Sequence, residues 1–143
     1  MKKIMLKTTL LLMTALLLWS PGALAQIIDE AALAGAWELE GTLMGDDGEG
    51  WLMPYKHSAP DCGKDHTFFA EDHTAKEVKY KPNCEPSENS FEWKLDGDTL
   101  VLTKGERSIQ WHILSLEDGS LKVGIQLRPN SDKRMYVVYK KRA

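Results

Sequence analysis

The stretch Phe91-Glu92-Trp93-Lys94-Leu95-Asp96-Gly97-Asp98-Thr99-Leu100-Val101-Leu102 decides the fold. Apolar Phe91, Trp93 and Leu95 alternate with charged Glu92 and Lys94, which is the period of a strand with one dry and one wet face. Asp96-Gly97 interrupts, and Leu100 and Leu102 then resume the alternation on the return path. An Asp-Gly pair between two alternating runs is the strongest short-range hairpin signal, because the tight turns that match strand twist need positive φ. Two antiparallel strands joined at Asp96-Gly97 are therefore expected.

The same period extends in both directions. Downstream, Ile109, Trp111 and Ile113 form one alternating run, and a turn at Asp118-Gly119 leads to Leu121, Val123, Ile125 and Leu127. Pro129-Asn130-Ser131-Asp132 then turns the chain into a last run over 135–140. Upstream, runs at 67–70 and 76–81 meet at Asp72-His73, and Trp51, Met53 and Tyr55 alternate before Pro60. Trp37, Leu39, Gly41 and Leu43 open the series. Asp29-Glu30-Ala31-Ala32-Leu33-Ala34 reads as a short helical turn, with Asp29 as cap and Gly35 as stop. About eight consecutive strands, each with one apolar face, need covering, and one helical turn cannot cover them. A sheet closed on itself buries every apolar face and removes the exposed edges. The expected architecture is all-β, an eight-stranded antiparallel up-and-down barrel. A two-sheet sandwich is the alternative, which the short sequential turns disfavour.

Residues 1–25 read as a cleavable signal peptide. Lys2, Lys3 and Lys7 precede an apolar run from Leu10 to Trp19, and Ala23-Leu24-Ala25 offers the small-x-small pattern at the cut. The run is short for a membrane span, so no stable insertion is expected after cleavage. Residues 26–143 then form one domain, periplasmic or secreted. The whole chain carries a formal net charge of −3, and loss of the three leader lysines makes it more acidic still. Such a surface repels phosphate backbones, which argues against nucleic acid as a partner. Cys62 and Cys84 are the only cysteines; an even count outside the cytoplasm reads as a disulfide.

Leu33-Ala34-Gly35-Ala36-Trp37-Glu38-Leu39 resembles the Gly-x-Trp opening of lipocalin-like barrels. The remainder resembles the lipocalin-like domain proteins of Bacteroidetes envelopes. The matching residues are Cys62, Lys64, Asp65 and Phe69, the turn Asp72-His73-Thr74, and Cys84. They continue in the hairpin Trp93, Leu95, Gly97, Asp98, Leu100 and Leu102 and in the closing strands to Lys140. His73 stands where the family usually has Gly, at a turn that can demand positive φ, and the acidic 45–50 loop is longer than the pattern. The resemblance implies the fold and an envelope location. It also implies that Trp37 closes one barrel end against a basic residue beyond the last strand, Arg142 or Lys141, through a cation–π contact.

Closing the barrel turns Met53, Phe69, Trp93, Trp111, Val123 and Ile125 inwards, an interior expected to be ring-lined and uncharged. These residues are the expected lining for a small hydrophobic molecule, with the acidic 45–50 loop near the entrance disfavouring anionic guests. The four histidines lack ligand spacing, and the one pair that a hairpin would bring together is His66 and His73. No metal, cofactor or catalytic residue is assigned: no nucleophile elbow frames a serine, and the bridge consumes both thiols. The chain is read as a binding protein and not an enzyme. The competing reading is a macromolecular interaction module, such as an inhibitor of a secreted enzyme. Bacterial metalloprotease inhibitors are similar exported barrels that use an N-terminal arm, but the arm here, Gln26-Ile27-Ile28-Asp29, is short.

Overall fold

A computed structural model describes residues 27–143. The signal peptide expected over 1–25 lies outside the described residues. Helix α1 (Glu30–Leu33) is followed by nine strands: β1 (Gly35–Met44), β2 (Trp51–Pro54), β3 (His66–Phe69), β4 (Thr74–Tyr80), β5 (Pro86–Asp96), β6 (Thr99–Lys104), β7 (Arg107–Glu117), β8 (Ser120–Gln126) and β9 (Arg134–Lys141). Strands β3 to β9 pair sequentially, and β9 returns to pair with β1. The result is a closed, antiparallel, eight-stranded up-and-down barrel with one short helix, as the alternating runs imply. Strand β2 is additional. The first half of β1 pairs with β3 (Trp37 opposite Thr67), while its second half pairs with β2 (Thr42 opposite Met53). One edge of β1 is thus shared between two short strands.

Two turns show how sequence sets the register. Asp118 and Gly119 both take positive φ, +52° and +72°, between the paired residues Glu117 and Ser120, as a twist-matched two-residue turn requires. The first hairpin turns one residue later than expected. Asp96 pairs with Thr99, so Gly97-Asp98 forms the loop, with Gly97 at φ +62° taking the strained position. His73 adopts φ +67° at the β3–β4 turn, a conformation that His tolerates better than most residues.

The core is uneven along the barrel axis. Leu33, Trp37, Phe69, Ala75, Trp93, Leu100, Leu121 and Val123 are almost fully buried, and they fill the end beneath α1. Asp29 caps the helix by accepting from the Ala31 N–H at 3.0 Å, which sets Leu33 into this plug. Trp37 donates its indole N–H to the Leu33 carbonyl at 2.7 Å. The cation over its ring is Lys141, with Nζ 5.4 Å from the centroid. Arg142, expected as an alternative partner, instead pairs with Glu38 at 2.9 Å and reaches the Lys64 carbonyl. The reason is alternation: successive residues leaving β9 point to opposite sides.

Cys62 and Cys84 form the disulfide, with Cα atoms 5.0 Å apart. It ties the 55–65 loop to the β4–β5 turn at the opposite, open end. A loop of this length implies about 3 kcal/mol of stabilisation in the chain-entropy account. Cys84→Ala is expected to lower stability by about that amount in urea unfolding, and reductant should then have no further effect. A variant as stable as the oxidised parent would show that the bridge does not constrain the chain.

Candidate functional site

Above the plug the barrel lumen stays open as a cavity of about 240 Å³. Every barrel strand contributes to its wall: Leu39, Thr67, Glu77, Phe91, Leu102, Trp111, Ile125 and Tyr139 from β1 and β3 to β9 in turn. Ile109, Lys79, Tyr55 and Asp65 complete it towards the rim. The floor is aromatic. Trp111 stacks on Tyr139 with centroids 5.3 Å apart, and Phe69 meets Trp111 edge-on at 6.2 Å from below. Phe69 in turn meets Trp93 edge-on at 5.8 Å, so a column of rings runs from the plug to the cavity floor.

Of the six residues expected on the lining, Trp111 and Ile125 are on the cavity wall. Phe69, Trp93 and Val123 face inwards but belong to the filled half and do not line this cavity. Trp93 is fixed there by donating its indole N–H to the Ala70 carbonyl at 3.0 Å. Met53 lies outside: it sits on β2, whose second edge has no neighbour, and is 45% exposed. Leu39, Phe91, Leu102 and Tyr139 take the places that the alternating pattern offered without distinguishing wall from plug.

The lumen is not free of charge, contrary to expectation. Glu77 pairs with Thr67 on one side and Asn89 on the other, so it shares the inward face with buried Thr67. Lys79, two residues towards the rim on that face, pairs with Glu77 at 3.2 Å. The hydrogen bond and negative charge of Glu77 hold the Lys79 ammonium above its ordinary pKa. Beside them, Asp65 is only 2% exposed. Its carboxylate accepts from the Tyr55 hydroxyl at 2.9 Å, the Ser58 N–H at 2.9 Å, the Ser58 hydroxyl at 2.8 Å and the Tyr80 N–H at 3.3 Å. Burial opposes its ionisation, but these donors outweigh burial and hold its pKa below the ordinary carboxylate value. Burial and the adjoining Asp65 carboxylate push the Tyr55 hydroxyl upwards, so it stays protonated and donates. Asp65 therefore latches the 55–65 loop onto the barrel rim.

The acidic 45–50 loop does not guard the entrance. Gly48 is buried against the outer wall, where an added Cβ would lie 2.9 Å from the Tyr136 ring and 3.2 Å from Leu114. Glu49 lies 3.8 Å from Lys122 on the same face. Only a glycine permits this approach, and it turns the loop's charge away from the lumen. His66 and His73 do not meet either. His66 lies beside Arg142 at 3.1 Å, whereas His73 bonds Glu30 at 2.9 Å at the plugged end. Among the described residues no three His, Cys, Asp or Glu side chains converge on a metal-sized site.

A small closed up-and-down barrel, plugged at one end and hollow at the other, defines a class of binding folds. The chain belongs to the lipocalin-like domain family, whose sequence model matches residues 33–123. Among solved structures it is similar to a lipocalin-like protein from Bacteroides uniformis, with a TM-score of 0.55 at 11% identity. That likeness covers 78% of this chain and 99% of the other, and it shows the shared fold. No curated protein matches the sequence. Among the described residues no helix is long and apolar enough to cross a membrane.

Proposed function

We propose that this protein is exported through cleavage of residues 1–25 and then binds a small, largely apolar molecule in the barrel lumen, in the periplasm or outside the cell. One observation carries the reading: all eight barrel strands leave side chains around a common cavity, mostly apolar, while the other half of the interior is packed solid. Filling the upper half with the same aliphatic residues would stabilise the fold through burial, at about 25 cal/mol per Å². An interior left open at that cost in stability is the expected form of a site. Family membership supports the same kind of function, and no catalytic role is assigned.

The test is a titration with naphthol, a neutral aromatic, followed by calorimetry. Binding to the parent is expected, and Ile125→Trp should weaken it by about tenfold or more, because the larger ring occupies the cavity. Ile125 is half-buried on the cavity wall, so the substitution spares the plug. Equal affinity in a folded variant would remove the lumen from consideration.

The interaction-module reading retains one supporting observation. Strand β2 leaves one edge unpaired, and Trp51 (66% exposed), Leu52 and Met53 form an apolar strip along it. The inhibitor precedent is a poorer fit, since Ile28 of the N-terminal arm is packed into the core. If calorimetry shows no guest in the lumen, this edge becomes the favoured site.

A further inference from the structure

Two aromatic side chains in the lumen carry hydrogen-bonding groups that the protein leaves unused. Three indoles are buried in the barrel, and the two in the plug are satisfied: Trp37 by the Leu33 carbonyl and Trp93 by the Ala70 carbonyl. Trp111 has no such partner among the described residues, and neither does the hydroxyl of Tyr139. Both side chains are more than nine-tenths buried, at 8% and 7% exposed, and both line the cavity. Neither polar atom is among the described side-chain atoms sealed off without a partner, so each keeps some accessible surface, and the cavity is the space that both side chains line. Stacking at 5.3 Å holds the two rings side by side.

Building on the lumen reading above, we propose that the guest is an uncharged molecule with an apolar body and one oxygen acceptor. That oxygen, of a ketone, ester or amide, takes a hydrogen bond from the Tyr139 hydroxyl, with the Trp111 N–H as the second donor. A pure hydrocarbon would strip water from both groups and return nothing, and an unsatisfied buried donor is costly. An acceptor of suitable reach restores the bonds. Trp111 can only donate, so an ammonium guest would leave that group unsatisfied. A carboxylate guest would meet Asp65 and Glu77 on the same cavity wall, against one amine, Lys79, that Glu77 already engages.

Three probes of similar shape separate these cases: benzylacetone, butylbenzene and hydrocinnamate, titrated by calorimetry into the disulfide-bonded chain. Benzylacetone is expected to bind about five- to tenfold more tightly than butylbenzene, the range of one or two neutral hydrogen bonds. Hydrocinnamate should bind most weakly. Tyr139→Phe should erase most of the ketone's advantage, with butylbenzene binding more tightly because one donor fewer is desolvated, and it should keep the melting temperature, because the hydroxyl it removes bonds to nothing in the fold. If the ketone's advantage survives Tyr139→Phe, or the hydrocarbon binds equally well, the anchor is overturned while the lumen reading stands. If hydrocinnamate binds most tightly, the uncharged guest is overturned. If neither neutral probe binds the folded parent, the anchor and the lumen reading fall together.

Discussion

Trp37→Ala should lower the unfolding free energy by about 3 to 5 kcal/mol, the range for deleting a buried large aromatic. Trp37 is 1% exposed and sits between α1 and the plugged end of the barrel. Three separate losses combine in the variant. The indole volume becomes a void beside Leu33 and Phe69, the bond to the Leu33 carbonyl disappears, and Lys141 loses the ring beneath its ammonium. Trp37→Phe distinguishes these terms, since it keeps most of the ring but not the N–H. That variant should lose only about 1 to 2 kcal/mol. Urea unfolding of both variants makes the measurement. Because the plug lies below the cavity floor, the fraction still folded should bind naphthol with the parent's affinity. An alanine variant of undiminished stability would mean that the plug is held by something other than Trp37.

The hairpins were legible because their determinants are local. Asp118-Gly119 supplies two positive-φ residues, and the flanking Leu116 and Leu121 face one another across the strands. Legibility failed where one residue changes the parity of a strand. Trp37, Leu39, Gly41 and Leu43 look like a single face, but the pairing with β9 shifts between Leu39 and Gly41. Beyond that bulge at Glu40, Thr42 takes the face opposite buried Val137, and Leu43 turns outwards with Tyr136. A bulge inserts one unpaired residue and reverses every later side chain, and no composition rule marks Glu40 for that role. The site was half legible for a related reason. Period two separates inside from outside, but it carries no information about depth, so Trp93 in the plug and Trp111 at the cavity floor look alike. Glu77 was overlooked because its inward position depends on the partners Thr67 and Asn89, which are distant or separated by a turn. Asp65 was visible only through the family pattern; its four donors come from three residues on two segments of chain, the 55–65 loop and β4.

Asp65→Ala should be the other severe substitution, at about 3 to 4 kcal/mol, because it strands several buried donors at once. Tyr55 and Ser58 on the loop, and the Tyr80 N–H on β4, all converge on this one carboxylate. Removing it leaves the 55–65 loop attached at its far end by the Cys62–Cys84 bridge. Hydrogen exchange should therefore rise in that loop before the barrel unfolds, and naphthol should bind more weakly at the loosened rim. The pH dependence has a definite sign. A carboxylate whose pKa is depressed by folding contributes its full stability above the unfolded aspartate value of about 3.9 and loses it as pH falls through the lower folded value. Asp65→Asn keeps the shape and one acceptor oxygen but does not ionise, so this acid-side decline should be missing from its stability curve. Unfolding free energies of parent and Asp65→Asn, measured from neutral pH down to about 2, should therefore converge as the acid is approached. Parallel curves would show that the carboxylate's charge contributes nothing to the latch, and an unchanged hydrogen-exchange pattern in Asp65→Ala would show that the loop is held elsewhere.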